Sequence, residues 1–414
     1  MSVTAVTADI RNDFKTLGLI CSGHFLSHFY MLSLPALMIF FHQDLGISYT
    51  LLGFVLSARY LTTGVAQILS GFLVDRHGAT RILMLGLFLL ITAMGLLAFV
   101  TSYWLILVLV LLAGLGDAVF HPADYAILNG SISEERMGRA FSVHTFSGHL
   151  GFAAAPAFIT VVATQWDWQT AILVSAAVGY VVWLFIFIFR AGLKDDVLAS
   201  LHKKEEKEDA PGETLGDHAR LLMSRPVLLL FAFFAMATLG SNGLHSFAIP
   251  ALNALHGTSV VEAGFAVGAY MLVSSFAILA GGWVSDHIHR QDLFAATAYV
   301  AAIIAVLIIA LLPLHYLLLV ALLGFAGFCH GVIRPARDMM VRQVVPKGST
   351  GKVFGFVFTG QNVGGAIAPI ILGTAMDTLA PQWIFYISIG FMVLCIATIL
   401  APRGPMTRAP VSSG

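Results

Sequence analysis

Long apolar stretches, separated by short polar turns, follow one another along almost the whole chain. A run of about 20 apolar residues is long enough to cross the hydrocarbon core of a bilayer as a helix, whereas a membrane-spanning strand is about half as long and alternates in polarity. A helix also satisfies its own backbone hydrogen bonds in lipid. The pattern therefore predicts an all-α membrane protein with twelve transmembrane helices. They fall at residues 15–41, 49–74, 81–101, 104–129, 138–163, 168–190, 226–252, 259–285, 292–312, 316–342, 350–376 and 382–402.

The composition agrees with this pattern. Of the 414 residues, 58% are hydrophobic and 11% are charged, whereas an ordinary soluble domain carries about 25% charged residues. The net charge of zero gives no basic surface for a nucleic-acid partner. Three cysteines, Cys21, Cys329 and Cys395, lie within predicted helices and are expected to pack as small apolar residues. The expected surroundings are the lipid bilayer.

The distribution of Lys and Arg predicts the orientation, because cytoplasmic loops retain positive charge. These residues occur in the loops on the side shared by both termini. The opposite loops contain none; they lie around Asp44, Ser102, Asp167, Gly257, His315 and Asp377. We therefore expect a multi-pass protein of the inner (cytoplasmic) membrane with both termini in the cytoplasm. The first segment lacks a small-residue cleavage site and is interpreted as a retained helix.

The chain divides into three predicted regions. Residues 1–190 and 226–414 are predicted to form two six-helix bundles. The stretch between them, residues 191–225, contains the mixed-charge sequence KKEEKEDAPGE and is predicted to be a cytoplasmic linker.

The two predicted bundles share an internal duplication. Residues from Gly116 onwards align without a gap with residues from Cys329 onwards, and glycines and prolines coincide at the turn and at both bends. The matched pairs include Pro122 with Pro335, Gly138 with Gly351, Phe141 with Phe354, Gly151 with Gly364 and Pro156 with Pro369. Parallel halves of six helices are typical of one class of membrane transporter.

The turn after the second helix reads GFLVDRHGATR. Gly71 is expected to allow close helix approach, Asp75 to cap or pair at a helix end, and Gly78 to permit a tight turn. Arg76 and Arg81 would hold this loop on the cytoplasmic side. The second half contains a less complete version of this motif, GGWVSDHIHR, which keeps Gly282 and Asp286.

This turn resembles the motif between helices two and three of the major facilitator superfamily. Within that superfamily, the stretch GDAVFHPADYAIL and the SGHFLSH of the first helix are similar to the fosmidomycin-resistance group of exporters. The resemblance implies two pseudo-symmetric bundles that transport a small solute by alternating access, with efflux favoured over uptake. We expect a monomer that needs no cofactor.

Ionisable side chains at bilayer depth are costly and usually face a cavity or a partner. His24 and His28 are one helical turn apart and lie roughly 15 and 21 Å from the cytoplasmic end at about 1.5 Å per residue. Asp117, His121 and Asp124 share one face of the fourth helix at overlapping depth. Since the first and fourth helices line the central cavity in the resembled fold, we expect the two sets to face each other, with His24, His28 and His121 binding substrate. Hydrogen bonding between helices is the alternative.

The second half repeats this set with His330, Arg334 and Arg337 at the equivalent positions. A guanidinium is always charged and matches a carboxylate or phosphonate with two parallel hydrogen bonds. Arg334 is therefore predicted to bind an anionic group of the substrate. A fixed salt bridge to Asp117 or Asp124 of the other half is the alternative.

Other polar residues complete the predicted site. Arg337 and Asp124, together with Asp286 and the turn motif, are assigned to gating. Neutral hydrogen-bonding groups of a solute cavity are expected from Asn242, Gln361 and Asn362. Arg59 would contact substrate or neutralise an acidic neighbour. His144 and His149 face different ways, and only His149 is expected to reach the cavity.

The leading functional hypothesis is a proton-coupled secondary transporter of a small organic solute, anionic or zwitterionic. Histidine and aspartate can exchange protons once burial shifts their proton affinity, so Asp117, His121 and His24 are the predicted coupling residues. A nucleotide-binding GxxxxGK[ST] motif is absent from the sequence, which argues against ATP as the energy source.

Two alternatives come from other classes. A divalent metal-ion transporter could use His24, His28, Asp117 and His121 as ligands, although two arginines in the same cavity would repel a cation. An integral membrane enzyme is less favoured, because GxSxG and HExxH motifs are absent from the sequence. The leading hypothesis therefore involves neither a catalytic residue nor a metal site.

Overall fold

A computed structural model of the chain describes residues 3–193, 220–345 and 350–401, so the charged centre of the predicted linker lies outside the described residues. In the first of these ranges the α-helices are α1 (Val3–Leu45), α2 (Tyr49–His77), α3 (Ala79–Leu96), α4 (Tyr103–Asp117), α5 (Phe120–Ser131), α6 (Glu134–Gln165) and α7 (Trp168–Phe189). The other two ranges contain α8 (Arg225–His245), α9 (Ala248–His256), α10 (Val260–His287), α11 (Gln291–Leu311), α12 (Tyr316–Val344), α13 (Thr350–Thr378) and α14 (Trp383–Leu400).

Among the described residues, twelve stretches of helix are long and apolar enough to cross a membrane, as predicted. Two predicted helices are interrupted, however. The helix predicted at 104–129 is split into α4 and α5, and the one predicted at 226–252 into α8 and α9. Each break precedes a proline, Pro122 or Pro250, by about one turn. Proline has no N–H to bond the carbonyl four residues earlier, which weakens the helix there.

The first break leaves the carbonyl of Ala118 without its helical partner. The Ser70 hydroxyl on α2 donates to this carbonyl at 3.0 Å. At the duplicated position of the second half, Pro335 lies inside α12, which continues unbroken. The duplication therefore preserves the proline but not the shape of the helix around it.

The helices form two six-span halves, α1–α7 and α8–α14, which confirms the predicted fold class. The main contacts between the halves are α2 against α13 and α6 against α10. In each pair, the second span of one half packs on the fifth span of the other. This relation is the one expected if the two halves are pseudo-symmetric.

Because the number of spans is even, α1 begins and α14 ends on one side of the bundle, which we call the terminal side; the opposite face is the far side. At the far side the halves are in contact. The Asp377 carboxylate at the end of α13 accepts hydrogen bonds from the backbone N–H of Tyr49 at 2.9 Å and of Thr50 at 2.7 Å. It also accepts one from the Thr50 hydroxyl at 2.6 Å. A Cβ on Gly373 would lie 2.8 Å from the Tyr49 carbonyl carbon, so the two backbones touch and the far side is closed.

The turn motif shows one expected feature and lacks another. Gly78 ends α2 with φ of +88°, a backbone conformation that favours glycine, as the predicted tight turn requires. A Cβ on Gly71 would meet no atom within 4 Å, so the structure does not contain the close helix approach predicted there. That approach occurs instead at Gly86 on α3, where a Cβ would lie 2.8 Å from the Gly116 carbonyl oxygen. The charged residues of the motif, Asp75, Arg76 and Arg81, and also Asp286, are exposed, and their gating role stays a prediction.

Candidate functional site

Several of the predicted site residues surround one cavity at mid-span, bordered by α1, α2, α4 and α5. Its volume is about 140 Å³, and a single water needs only about 10–15 Å³ measured this way, so the cavity holds several waters or a small solute. Six polar groups used below line it: Ser27, His28, Arg59, Asp117, His121 and, from the second half, Asn362.

Arg59 and Asp117 form an ion pair in the wall of this cavity. Their Nη2 and Oδ2 atoms are 3.6 Å apart, and both side chains are at least nine-tenths buried. Arg59 also donates to the Tyr30 carbonyl at 2.7 Å, and the Ser27 hydroxyl donates to Asp117 Oδ1 at 2.5 Å. Of the two roles left open for Arg59, the structure shows neutralisation of an acidic neighbour. That neighbour is Asp117, one of the predicted coupling residues.

His24 and His28 lie together, with ring centroids 4.3 Å apart. Helix α6 crosses directly over them at Gly148, where a Cβ would lie 2.7 Å from the His24 ring and 2.8 Å from His28 Nδ1. His121 lines the cavity, and its buried Nδ1 has no hydrogen-bond partner among the described residues. The predicted meeting of the first and fourth spans is therefore present, with a ring-centroid distance of 5.5 Å between His24 and His121.

A second polar cluster lies beside the cavity and consists of His24, Asp124 and His144. Asp124 Oδ2 is 2.9 Å from His144 Nε2 and 3.3 Å from His24 Nδ1. Asp124 is fully buried inside the first half, and its gating role stays a prediction. The sequence missed His144 because five residues separate it from His149. The rings of His144 and His149 do point in different directions. Because α6 lies between the two halves, His144 contacts Asp124 in its own half and His149 contacts Arg334 in the other.

His149 is the residue that meets the second half. Its Nε2 lies 2.5 Å from Nη1 of Arg334, and this contact joins α6 to α12. Arg334 is half-buried, and within the described ranges no carboxylate lies at ion-pair distance from it. The alternative salt bridges to Asp117 or Asp124 are therefore not formed, since those carboxylates contact Arg59 and the two imidazoles.

The remaining predicted residues of the second half have local partners. Arg337 Nε lies 3.1 Å from Oδ1 of Asp338, and its guanidinium is 4.1 Å from the centroid of the Phe234 ring. Its Nη1 is 3.5 Å from the amide oxygen of Gln361. Tyr270 shares a hydrogen bond of 2.6 Å with His330.

Asn242 differs from its prediction. Its amide donates to the Thr238 carbonyl at 2.9 Å and accepts from the Ser246 hydroxyl at 3.1 Å, and the residue is fully buried. These bonds lie within α8 and at the break that follows it. The amide therefore stabilises the end of a helix and is not presented to a cavity.

The metal-ligand set considered from the sequence is not assembled either, because the two oxygens of Asp117 contact Ser27 and Arg59. Among the described residues, His24, Asp124 and His144 bring their potential ligand atoms within 4.8 Å of one another instead.

Comparison with known proteins gives one family. The sequence model of the Major Facilitator Superfamily matches residues 20–244 and again 235–413. The chain is 23% identical to the fosmidomycin resistance protein of Escherichia coli (strain K12), over 96% of this chain and 95% of that protein. It is 24% identical to the probable nitrate/nitrite transporter NarK2 of Mycobacterium tuberculosis, over 88% and 91%. The hexuronate transporter of Bacillus subtilis (strain 168) is 22% identical over 82% of each chain.

Solved structures agree on the fold. A crystal structure of the nucleoside transporter NupG superposes with a TM-score of 0.77 at 15% identity, covering 94% of this chain and 99% of that one. A bacterial homolog of the human lysosomal transporter Spinster, in an inward-facing and unoccupied conformation, gives 0.72 at 15% identity and covers 94% of both chains.

Proposed function

The chain belongs to the major facilitator superfamily, and from this premise we propose that it is a proton-coupled secondary transporter of a small organic anion. It works by alternating access in the inner membrane, with both termini in the cytoplasm. Neither a catalytic step nor a cofactor is part of this proposal.

The charge on Arg334 carries the proposal. The other two arginines that the sequence placed deep inside predicted spans have carboxylate partners, Arg59 in Asp117 and Arg337 in Asp338. Within the described part of the chain, the only hydrogen-bond partner of Arg334 is the imidazole of His149. A permanent cation at bilayer depth is costly without an anionic partner, and a guanidinium binds a carboxylate or phosphonate with two hydrogen bonds. The relatives named for nitrate/nitrite and for hexuronate transport are named for anions, which supports the same substrate class.

The closed far side supports alternating access. With cytoplasmic termini, the closed side described here is the outer side, because Asp377 joins the two halves at the side opposite the termini. Opening towards the outside must break the hydrogen bonds of Asp377 with α2. These bonds would then form and break once in each transport cycle.

Proton coupling is proposed at Asp117, with His121 beside it in the cavity. A proton on Asp117 would neutralise the carboxylate and release Arg59 from its ion pair, which makes the cavity more positive. Proton and anion would then bind together, as in a symporter. His24, the third coupling residue predicted from the sequence, contacts Asp124 and is not among the cavity-lining residues.

The direction has two candidates. Joint binding of proton and anion, with an inward proton gradient, favours uptake. Efflux, which the likeness to the fosmidomycin resistance protein favours, is the second candidate. In inside-out and right-side-out vesicles, the orientation in which an imposed proton gradient accumulates substrate decides between them.

A thermal-shift screen of the purified protein tests the substrate class. We expect small carboxylates or phosphonates to raise the unfolding temperature, while their neutral amides or esters do not. Equal stabilisation by the neutral analogues, or by organic cations alone, would contradict an anionic substrate.

A further inference from the structure

The cluster of His24, Asp124 and His144 is not explained by anion transport. Its three side chains are 3%, 0% and 1% exposed, and none of them lines the cavity. They come from α1, α5 and α6, three helices of the first half that meet at mid-span. A group of ionisable side chains this deeply buried needs a physical reason.

The atoms of the cluster converge on one point. Nδ1 of His24 and Nε2 of His144 approach the same carboxylate oxygen of Asp124 at 3.3 and 2.9 Å. The two imidazole rings are stacked, with centroids 3.8 Å apart and planes inclined by 26°. In a tetrahedral site with metal–ligand bonds of about 2.0–2.2 Å, neighbouring ligand atoms are about 3.3–3.6 Å apart. Only a small widening of the shorter contact would therefore accommodate a metal ion.

Hydrogen bonds within the cluster do not satisfy it. The contact between His24 Nδ1 and Asp124 lacks hydrogen-bond geometry, and Nδ1 of His24 has no other partner among the described residues. Asp124 Oδ1 and His144 Nδ1 are likewise buried without a partner. Polar atoms left in this state are costly in an apolar interior.

The carboxylate of Asp124 has no lysine or arginine partner among the described residues. The nearby Arg59 pairs with Asp117. Two imidazoles and a carboxylate are a nitrogen and oxygen ligand set that suits zinc and related divalent metals. A divalent cation would offset the carboxylate and would give a partner to His24 Nδ1, the one converging ligand atom that has no hydrogen bond among the described residues.

We propose that His24, Asp124 and His144 bind a resident divalent transition metal, with Zn²⁺ as the ion that fits the ligand set best. The ion joins α1, α5 and α6 through these three ligands, next to His121. It is resident and not cargo, because its ligands lie outside the cavity. This inference stands independently of the proposed transport function and differs from metal transport by a set that includes Asp117.

Metal analysis of tag-free protein in detergent tests the site directly. After treatment with a chelator, the full chain is titrated with Zn²⁺ by equilibrium dialysis and, separately, with Co²⁺ by visible absorption. We expect one ion per chain and the visible absorption of a Co²⁺ site with nitrogen and oxygen ligands. Wild-type protein that binds no stoichiometric metal would overturn the proposal and leave a hydrogen-bonded cluster only.

Two variants of similar size, Asp124→Asn and His144→Gln, identify the ligands. Loss of a partner outside the ligand shell typically costs 10–100-fold in metal affinity, so we expect loss of a ligand to cost at least about 100-fold. The control is His256→Gln, since His256 contacts the Ile309 carbonyl at 3.0 Å, away from the cluster. It should bind as the wild type does.

Unfolding curves separate a lost ligand from a misfolded variant. We expect His144→Gln to unfold cooperatively near the temperature of the chelator-treated wild type, and to lack the rise that Zn²⁺ gives the wild type. A well-folded His144→Gln with wild-type Zn²⁺ affinity would reject the assignment. Because anion-dependent stabilisation is measured separately, failure of the metal site does not decide the transport proposal.

Discussion

The fourth span of each half carries three polar residues at equivalent positions, yet the two sets have opposite surroundings. In the first half, Asp117 is held by Arg59 and Ser27, and Asp124 contacts two imidazoles of its own half. In the second half, Arg334 reaches across to His149 and has no carboxylate partner among the described residues. The duplication has therefore kept polar residues at equivalent positions of the two halves, while their contacts differ. The first half fixes its charges internally, and the second presents one to the interface between the halves.

The largest expected effect concerns the internal charge pair of the first half. Arg59→Ala would leave Asp117 buried without a cation, and removal of one partner of a buried pair costs about 3–5 kcal/mol in the free energy of unfolding. Thermal unfolding in detergent measures the loss. The double variant Arg59→Ala, Asp117→Asn should recover much of it, because neither charge of this buried pair then remains.

Arg76→Ala is the control for this measurement, since Arg76 is exposed in the turn after α2, and it should leave the unfolding temperature unchanged. An Arg59→Ala variant as stable as the wild type would mean that the stability of the first half does not depend on the ion pair of Arg59 with Asp117.

A smaller effect is expected on coupling. Asp117→Asn cannot gain and lose a proton, so we expect it to lose proton-driven accumulation in proteoliposomes while exchange of labelled for unlabelled substrate continues. A gradient of one pH unit is worth about 1.4 kcal/mol, so accumulation should fall about tenfold. Asp292→Asn, which lies on the terminal side in contact with Arg290, is the control. Full accumulation with unchanged pH dependence in Asp117→Asn would assign Asp117 a structural role only.

The smallest effect concerns the far-side contact between the halves. Asp377→Asn keeps one acceptor oxygen for α2 and loses the other. The closed state then loses one hydrogen bond, which is worth about 1 kcal/mol, so the outward-open population should rise about fivefold. Double electron–electron resonance between spin labels at Ser102 and His315 reports the change, in a background without the native cysteines.

Asp167→Asn provides a matched control, because Asp167 caps α7 within its own half by accepting from the Thr170 N–H at 2.6 Å. Equal distance distributions in Asp377→Asn and Asp167→Asn would show that Asp377 does not hold the far side closed.

The sequence predicted the spans, the duplication and the clustering of His24 with His28, because hydrophobic run length and helical periodicity determine which residues share a face of one helix. Beyond the meeting of the first and fourth spans, it did not predict which face of a helix meets which neighbour. That depends on the rotation of each helix about its axis, which is set by close contacts such as that of Gly148 with the His24 ring. For this reason the pairing of Asp117 with Arg59 and the role of His144 became visible only in the structure.

The breaks at Ala118 and Ser246 have a similar origin. Proline marks where a helix can break, but Pro335 lies in an unbroken helix. At Ala118 the freed carbonyl accepts a hydrogen bond from a neighbour, the hydroxyl of Ser70. Such a neighbour comes from another helix and cannot be found from the local sequence.

The central claim is that Arg334 supplies the cation that binds the substrate anion, and its most direct test is the substrate affinity of Arg334→Lys. Lysine keeps the charge but loses the planar pair of hydrogen bonds, so affinity for the anion identified by the thermal-shift screen should fall by about 1.5–3 kcal/mol, roughly ten- to a hundredfold. The unfolding temperature without substrate should stay near that of the wild type. Arg337→Lys, whose charge is offset by Asp338, should bind normally. Wild-type affinity in Arg334→Lys, measured by isothermal calorimetry alongside these variants, would contradict substrate recognition by Arg334.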